Sequence, residues 1–452
     1  MSDAPAVASP EELAEALIDA ARKAGADAAD AMVVEESATG IDVRAGKLEE
    51  AGRAEAMQIG LRVFIGQRQA MTSASDSRPG GFAGLAERAV AMAREAPEDA
   101  YAGLAPAEAL AEARDATGLE LEDPAIDRDP AALEAAAREM EAAAMAAPGI
   151  AQAEASAAWS RSRLHLATST GFSGGWTATM AQLSLVAIAG EGLGMERDYD
   201  YDARVFTADL RAPAEIGALA AERALSRLKP RKPPTGRAHV LYDERVAGSL
   251  VGHLLSAING SAVARGASWA RGLMGEAVLP AGIDLMEEPH RPRVPGSRRF
   301  DAEGLPTRER KLVEDGVLQG WILDLANARK LGLESTANAA RSPRSGPNPS
   351  AHNLRLTEGE ASLDDLLKQM GTGLYVTSLI GATINPNTGD YSRGASGFWV
   401  ENGEIAWPVS ECTIAGSLPD MLRRVIPAND ARLHTGRVIP SLLVEDMSVA
   451  GA

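Results

Sequence analysis

Six histidines and one cysteine are the side chains of this sequence best suited to metal ligation or proton transfer, and no two of the histidines fall within one helical turn of each other. His253 has the most suggestive setting. It lies in the stretch Asp243–Asn259, where Val246, Leu250, Val251, Leu254, Leu255 and Ile258 recur at helical spacing. The same helix carries Gly248, Ser249, Gly252 and Ser256, small residues that would let another element pack close. Hydrolysis at zinc needs two ligands one turn apart and a base for the metal-bound water, as in a helical His-Glu-x-x-His pattern. The turn before His253 offers Gly248 and Ser249 instead. Ser249 and His253 have the i,i+4 spacing of a nucleophile and its base, but no nucleophile elbow surrounds the serine, and simple packing is the plainer reading. Cys412 sits in an alternating strand with no basic neighbour to lower its pKa, so it reads as a sheet residue. Glu287, Glu288 and His290 resemble a ligand cluster, yet Pro289 extends the chain there and paired surface carboxylates are commoner. No local metal pair exists, so a distant pairing such as His253 with His434 is the remaining route to a metal site.

A second stretch reads most plainly as a structural loop stapled by aromatic core residues, and alternatively as a wall of a peptide or partner site. Asn385–Gly394 places Tyr391 and Arg393 in what reads as a turn, followed by a strand containing Phe398 and Trp399. Tyr391 and Arg393 are the candidates for contact with a partner or a peptide, with Trp399 supporting them from the core. Tyr, Trp and Arg are the residue types most enriched at interface centres.

The elements that must position these residues follow from length and pattern. With 452 residues, 45% of them hydrophobic and 24% charged, the chain is long enough for two to four soluble globular domains. The formal net charge of −18 argues against nucleic acid, which needs clustered Lys and Arg. A single cysteine excludes internal disulfides and suits a reducing cytosol. The N-terminal stretch lacks the basic and apolar regions of a secretion signal, and no apolar run is long enough to span a membrane. The expected location is cytoplasmic.

Ser9, Pro10 and Glu12 form a capping box that opens the first helix. Strand-like runs follow at Ala31–Glu35, Gly40–Arg44, Met57–Ile65 and Gln69–Ser73, and a helix near Phe82–Arg94 closes the unit. The order repeats: a helix from Asp129, strands near Ile150–Trp159, Arg163–Ser169, Gly175–Glu191 and Arg204–Leu210, then a helix at Ala214–Leu228. The pattern predicts an α+β protein, with N-terminal helix-flanked β-sheet units followed by a large β-rich C-terminal domain. The expected divisions are residues 1–96, 97–228, a basic proline-rich linker at 229–236, and 237–452. In the last block Asp315-Gly316 and Asn402-Gly403 signal hairpins, and Arg341–His352 reads as an exposed loop.

Several phrases of the last block together resemble the TldD/PmbA family. They include Phe300-Asp-Ala-Glu-Gly304, Val313-Glu-Asp-Gly-Val-Leu318, Ala328-Arg-Lys-Leu-Gly332 and Met370-Gly-Thr-Gly-Leu374. The longest runs from Thr388 to Glu404, and Pro408-Val-Ser-Glu411 and Ile414-Ala-Gly416 follow it. The likeness is closer to the PmbA (TldE) branch than to the TldD branch. It implies a zinc-dependent peptidase system of two related subunits that trims or degrades small, unfolded or leader-bearing peptides in the bacterial cytosol. In the TldD branch a helical His-Glu-x-x-x-His and a C-terminal Cys hold the zinc. That motif falls here on Gly248, Ser249 and His253, and the stretch Gly436–Ser441 has no Cys. The resemblance therefore implies a non-catalytic subunit with no zinc of its own, paired with a zinc-bearing TldD-type partner. The block from Arg237 onward is expected to supply most of the contact. Two rival readings are a stand-alone metallopeptidase with an atypical metal site and a homodimeric peptide-binding scaffold without proteolytic role.

Overall fold

The computed structural model describes residues 8–126 and 129–451. Each N-terminal block is built as helix, three strands, helix. The first comprises α1 (Pro10–Lys23), β1 (Ala28–Arg44), β2 (Lys47–Ile65), β3 (Arg68–Ala74) and α2 (Phe82–Glu95). The second comprises α3 (Pro130–Met145), β4 (Ile150–Thr168), β5 (Ser173–Ala189), β6 (Glu196–Arg204) and α4 (Pro213–Ser226). The Ser9 hydroxyl accepts from the Glu12 amide and the Glu12 carboxylate accepts from Ser9, which fixes where α1 begins. The two blocks share one antiparallel sheet of order β3-β2-β1-β4-β5-β6, joined where β1 pairs β4 from Asp30↔Thr168 to Arg44↔Glu154. That order reads the same outward from the β1/β4 seam in both directions, which fits an old duplication.

Alternation along β1 decides what covers the sheet. Ala31 and Val33 turn to α1 and α2, and Ile41 and Val43, on the same face, turn to α3 and α4. Met32 and Val34 turn to the other face, where Phe172, Phe300, Ala302 and Ala339 pack on them. The C-terminal block is thus seated on one end of the face that the helices leave open.

Two expectations about these strands need correction. The sequence suggests breaks within β1 and β4, but both run through, because each has a partner strand on either side to satisfy its backbone. The strand expected at Arg204–Leu210 lies earlier, at Glu196–Arg204. Its inward positions are Asp198, Asp200 and Asp202, so its alternation is charged rather than apolar. Asp198 meets Arg227 at 3.2 Å and Arg245 at 2.9 Å, and Asp200 meets Arg211 at 2.6 Å and Arg223 at 2.8 Å.

In the C-terminal block, β7 (Gly236–Tyr242) pairs parallel with Gly373–Ile384 and antiparallel with Leu442–Gly451. The strands Asp390–Glu401 and Glu404–Ser417 continue the sheet, and Glu404–Ser417 also pairs with Leu442–Gly451, closing five strands into a ring. Asp315 and Gly316 have φ of 48° and 77°, and Asn402 and Gly403 have 53° and 81°, the left-handed pairs that two-residue hairpin turns require.

The stretch Arg341–His352 is an exposed loop only in part: Ser342, Arg344, Ser345, Asn348 and Ser350 face solvent, but both ends are tied down. Its Ser, Pro and Gly content does mark turns, but Arg341 is buried against Asp30, and a side-chain carbon at Gly60 would overlap the Pro343 carbonyl. Glu287 is likewise no surface carboxylate. It is 1% exposed and held by Arg310 at 2.8 Å, the Asn338 amide at 2.7 Å and the His352 backbone N–H at 2.7 Å. Burial pulls the His352 imidazole down to about 4; Arg298 and Arg310 add to this, and Glu287 opposes it. Unfolding would release a histidine of ordinary basicity, so this group contributes stability above about pH 6.5 that is lost as the pH falls toward 4. His352→Gln should therefore flatten the fall in thermal midpoint between pH 6.5 and 4, measured by calorimetry.

Candidate functional site

The turn from β7 into α5 (Glu244–Ala257) is fixed by Asp243. Its carboxylate accepts from the Arg245 amide at 3.0 Å and from the Tyr375 hydroxyl, so the helix starts against the ring of strands. Ala247, Leu250, Val251, Leu254 and Leu255 bury one face of α5 in the C-terminal core. The other face carries Gly248, Ser249, Gly252 and His253, all half-buried, and the exposed Ser256.

The Ser249 hydroxyl donates to the Val246 carbonyl at 2.7 Å, a bond within its own helix, and no Ser249–His253 pair forms. The His253 ring meets Tyr391 edge-on, with centroids 5.7 Å apart. The Tyr242 hydroxyl donates to that of Tyr391 at 3.4 Å. Burial, and then the Arg393 guanidinium, lower the His253 pKa. Its Nε2 is buried, with no hydrogen-bond partner among the described residues.

The remaining candidates are occupied singly. His434 Nε2 lies 3.4 Å from Asp202 on β6, His290 Nε2 is 3.0 Å from the Thr307 hydroxyl, and His165 Nε2 is 2.9 Å from the Ser173 hydroxyl. The Cys412 thiol is buried, donates to the Ala395 carbonyl at 3.1 Å, and is pushed up to about 11 by burial. Among the described residues no three His, Cys, Asp or Glu side chains converge as metal ligands. The donor set around α5 does not fit a zinc ion.

Two assignments change. Tyr391 is not in a turn: the turn closes where the Gly389 amide donates to the Asn385 carbonyl at 2.8 Å, and the strand begins at Asp390. Tyr391 is 2% exposed and packed inward, so its side chain is not on offer to a partner. Arg393 is half-buried, and its Nε donates to the Gly381 carbonyl at 2.7 Å. Trp399 is buried and stacks on Trp407 at 6.3 Å.

Gly248 and Gly252 are not close-packing contacts either. A side-chain carbon at Gly248 would find only Ile439 Cδ1, at 4.0 Å, and one at Gly252 only Arg437 Nη1, at 3.6 Å. Both have room for a larger residue. Gly248→Ala should accordingly stabilise the protein by up to about 1 kcal/mol through helix propensity, read from the urea midpoint. The sequence conceals the Tyr391–His253 contact and the placement of Arg437, since both join segments far apart in the chain.

Three models of one family match the chain: PmbA/TldA metallopeptidase domain 1 over residues 29–93, the central domain over 123–228 and the C-terminal domain over 235–451. Metalloprotease PmbA of Escherichia coli O157:H7 is 38% identical over 427 residues, covering 94% of this chain and 92% of its own. The crystal structure of a Bacteroides thetaiotaomicron protein, described as a candidate modulator of DNA gyrase, superposes with a TM-score of 0.90. It is 26% identical and covers 98% of this chain and 99% of its own. TldE from Thermococcus kodakarensis shares the fold at a TM-score of 0.82, with 22% identity and coverage of 97% and 100%.

Proposed function

Since the chain belongs to the PmbA/TldD metallopeptidase family, we propose that it is the non-catalytic PmbA (TldE) type of subunit in a peptidase pair. The proteolytic activity in the relative's name would then reside in a TldD-type partner that holds the zinc. One observation carries this reading. On α5 the positions of a first ligand and a base are Gly248 and Ser249, while His253 is surrounded by Tyr391 and Arg393 rather than by further ligands. A metallopeptidase needs three protein ligands, an open coordination position and a base for the bound water.

In this reading the chain completes the chamber in which the partner cuts small unfolded or leader-bearing peptides, in the cytosol. No helix among the described residues is long and apolar enough to cross a membrane. The block from Arg237 onward faces the partner, because the open face of α5 and Arg393 both lie on it. Tyr391 supports that face from inside through its contact with His253, and Trp399 supports the same sheet from its buried stack on Trp407. Size exclusion of this chain mixed with a TldD-type subunit tests the pairing. A single species containing both chains is the expected result, and separate elution at micromolar concentration would overturn it.

A further inference from the structure

We infer that the cavity between α1, the β4–β5 turn and the segment joining α2 to α3 at Arg114 binds a small zwitterion bearing an α-ammonium and a carboxylate, either a free amino acid or a dipeptide. The cavity measures about 330 Å³, at the lower end of the range for small-molecule sites. Its wall carries charge of both signs. Arg114 and Arg163 supply cations, and Glu11 and Asp115 supply carboxylates. Trp176 and Leu164 add apolar surface between them.

The Arg114 side of the wall is built rather than incidental. The Arg114 guanidinium stands 4.3 Å over the Phe172 ring, and its Nη1 is buried without a hydrogen-bond partner among the described residues. Beside it the Ser173 hydroxyl and His165 Nε2 share a hydrogen bond of 2.9 Å. The hydroxyl can turn its proton to a ligand oxygen while the imidazole stays neutral, which burial favours.

Glycines make this closeness possible. The Gly175 amide donates to the Arg114 carbonyl at 2.8 Å, and a side-chain carbon at Gly174 would come within 2.8 Å of that same oxygen. One at Gly175 would overlap the Leu164 carbonyl. Asp115 accepts from the Thr117 amide at 2.8 Å within its own turn, which leaves Glu11, exposed on the first turn of α1, as the carboxylate to meet an ammonium. A ligand of one charge sign only would leave either Glu11 or the guanidinium groups unmatched.

Titration calorimetry on the whole chain alone tests the site, and it depends on neither a partner nor hydrolysis. The probes are alanyl-leucine, free leucine, N-acetyl-alanyl-leucine and alanyl-leucine amide. Alanyl-leucine or leucine should bind saturably, the better of the two identifying the source, and capping either end should weaken binding by about tenfold or more. Glu11→Gln should abolish the preference for a free ammonium at unchanged thermal midpoint, and Arg114→Gln the preference for a free carboxylate. Absence of saturable binding, equal binding of free and capped probes, or a preference that survives Glu11→Gln would overturn the proposal.

Discussion

Replacing Asp30 with alanine should cost the fold about 3–5 kcal/mol, the usual penalty for leaving a buried charge without its partner. Asp30 is 1% exposed on β1 and points at the C-terminal block. Arg62 Nε donates to it at 2.9 Å and Arg341 Nη1 at 2.5 Å. Burial alone would push its carboxyl up, but Arg341 and Arg62 outweigh burial and hold it below the ordinary range. Removing the carboxylate strands two buried guanidinium groups, one from the sheet and one from the segment that docks on it. Urea unfolding at neutral pH reads the effect. Asp30→Asn should cost less, since it keeps an acceptor between the two arginines. A loss below about 1 kcal/mol for Asp30→Ala would show that the two blocks are held by their apolar contacts, Phe172 and Phe300 among them, without this ion cluster.

The second large effect concerns activity. Peptide hydrolysis by the isolated chain should be at least about a thousandfold slower than by the pair. Loss of a single electrostatic stabiliser already costs about 10²–10³ in rate, and the proposed role leaves this chain without both a ligand and a base. Within the pair, His253→Asn in this chain should change the rate by no more than about twofold. Among the described residues the imidazole has an edge-on contact with Tyr391 and no hydrogen-bond partner for Nε2. Changing the motif glutamate of the TldD-type partner should abolish hydrolysis. A large loss from His253→Asn at unchanged stability would mean that this histidine acts on substrate.

Much of the local structure is written in the sequence. Ser9 and Glu12 cap α1, Asp315-Gly316 and Asn402-Gly403 turn hairpins, and the apolar stripe of α5 is buried where its spacing puts it. These signals are short-range, and each has a stereochemical cause. What the sequence hides is charge and turn chemistry turned inward. β6 alternates aspartate with exposed residues because arginines of α4 and α5 lie beneath it, and no local pattern announces those partners. Arg341 stands among Ser, Pro and Gly, yet its partner Asp30 lies 311 residues away. Tyr391 follows five turn-forming residues closely enough to be read as one of them, though its side chain fills the core beside His253.

The most direct measurement is the zinc content of the purified chain after dialysis against a mild chelator, beside that of its complex with a TldD-type subunit. The isolated chain should hold no stoichiometric zinc, and the complex about one equivalent, carried by the partner. One tightly held equivalent in the isolated chain, lost on His253→Asn, would contradict that.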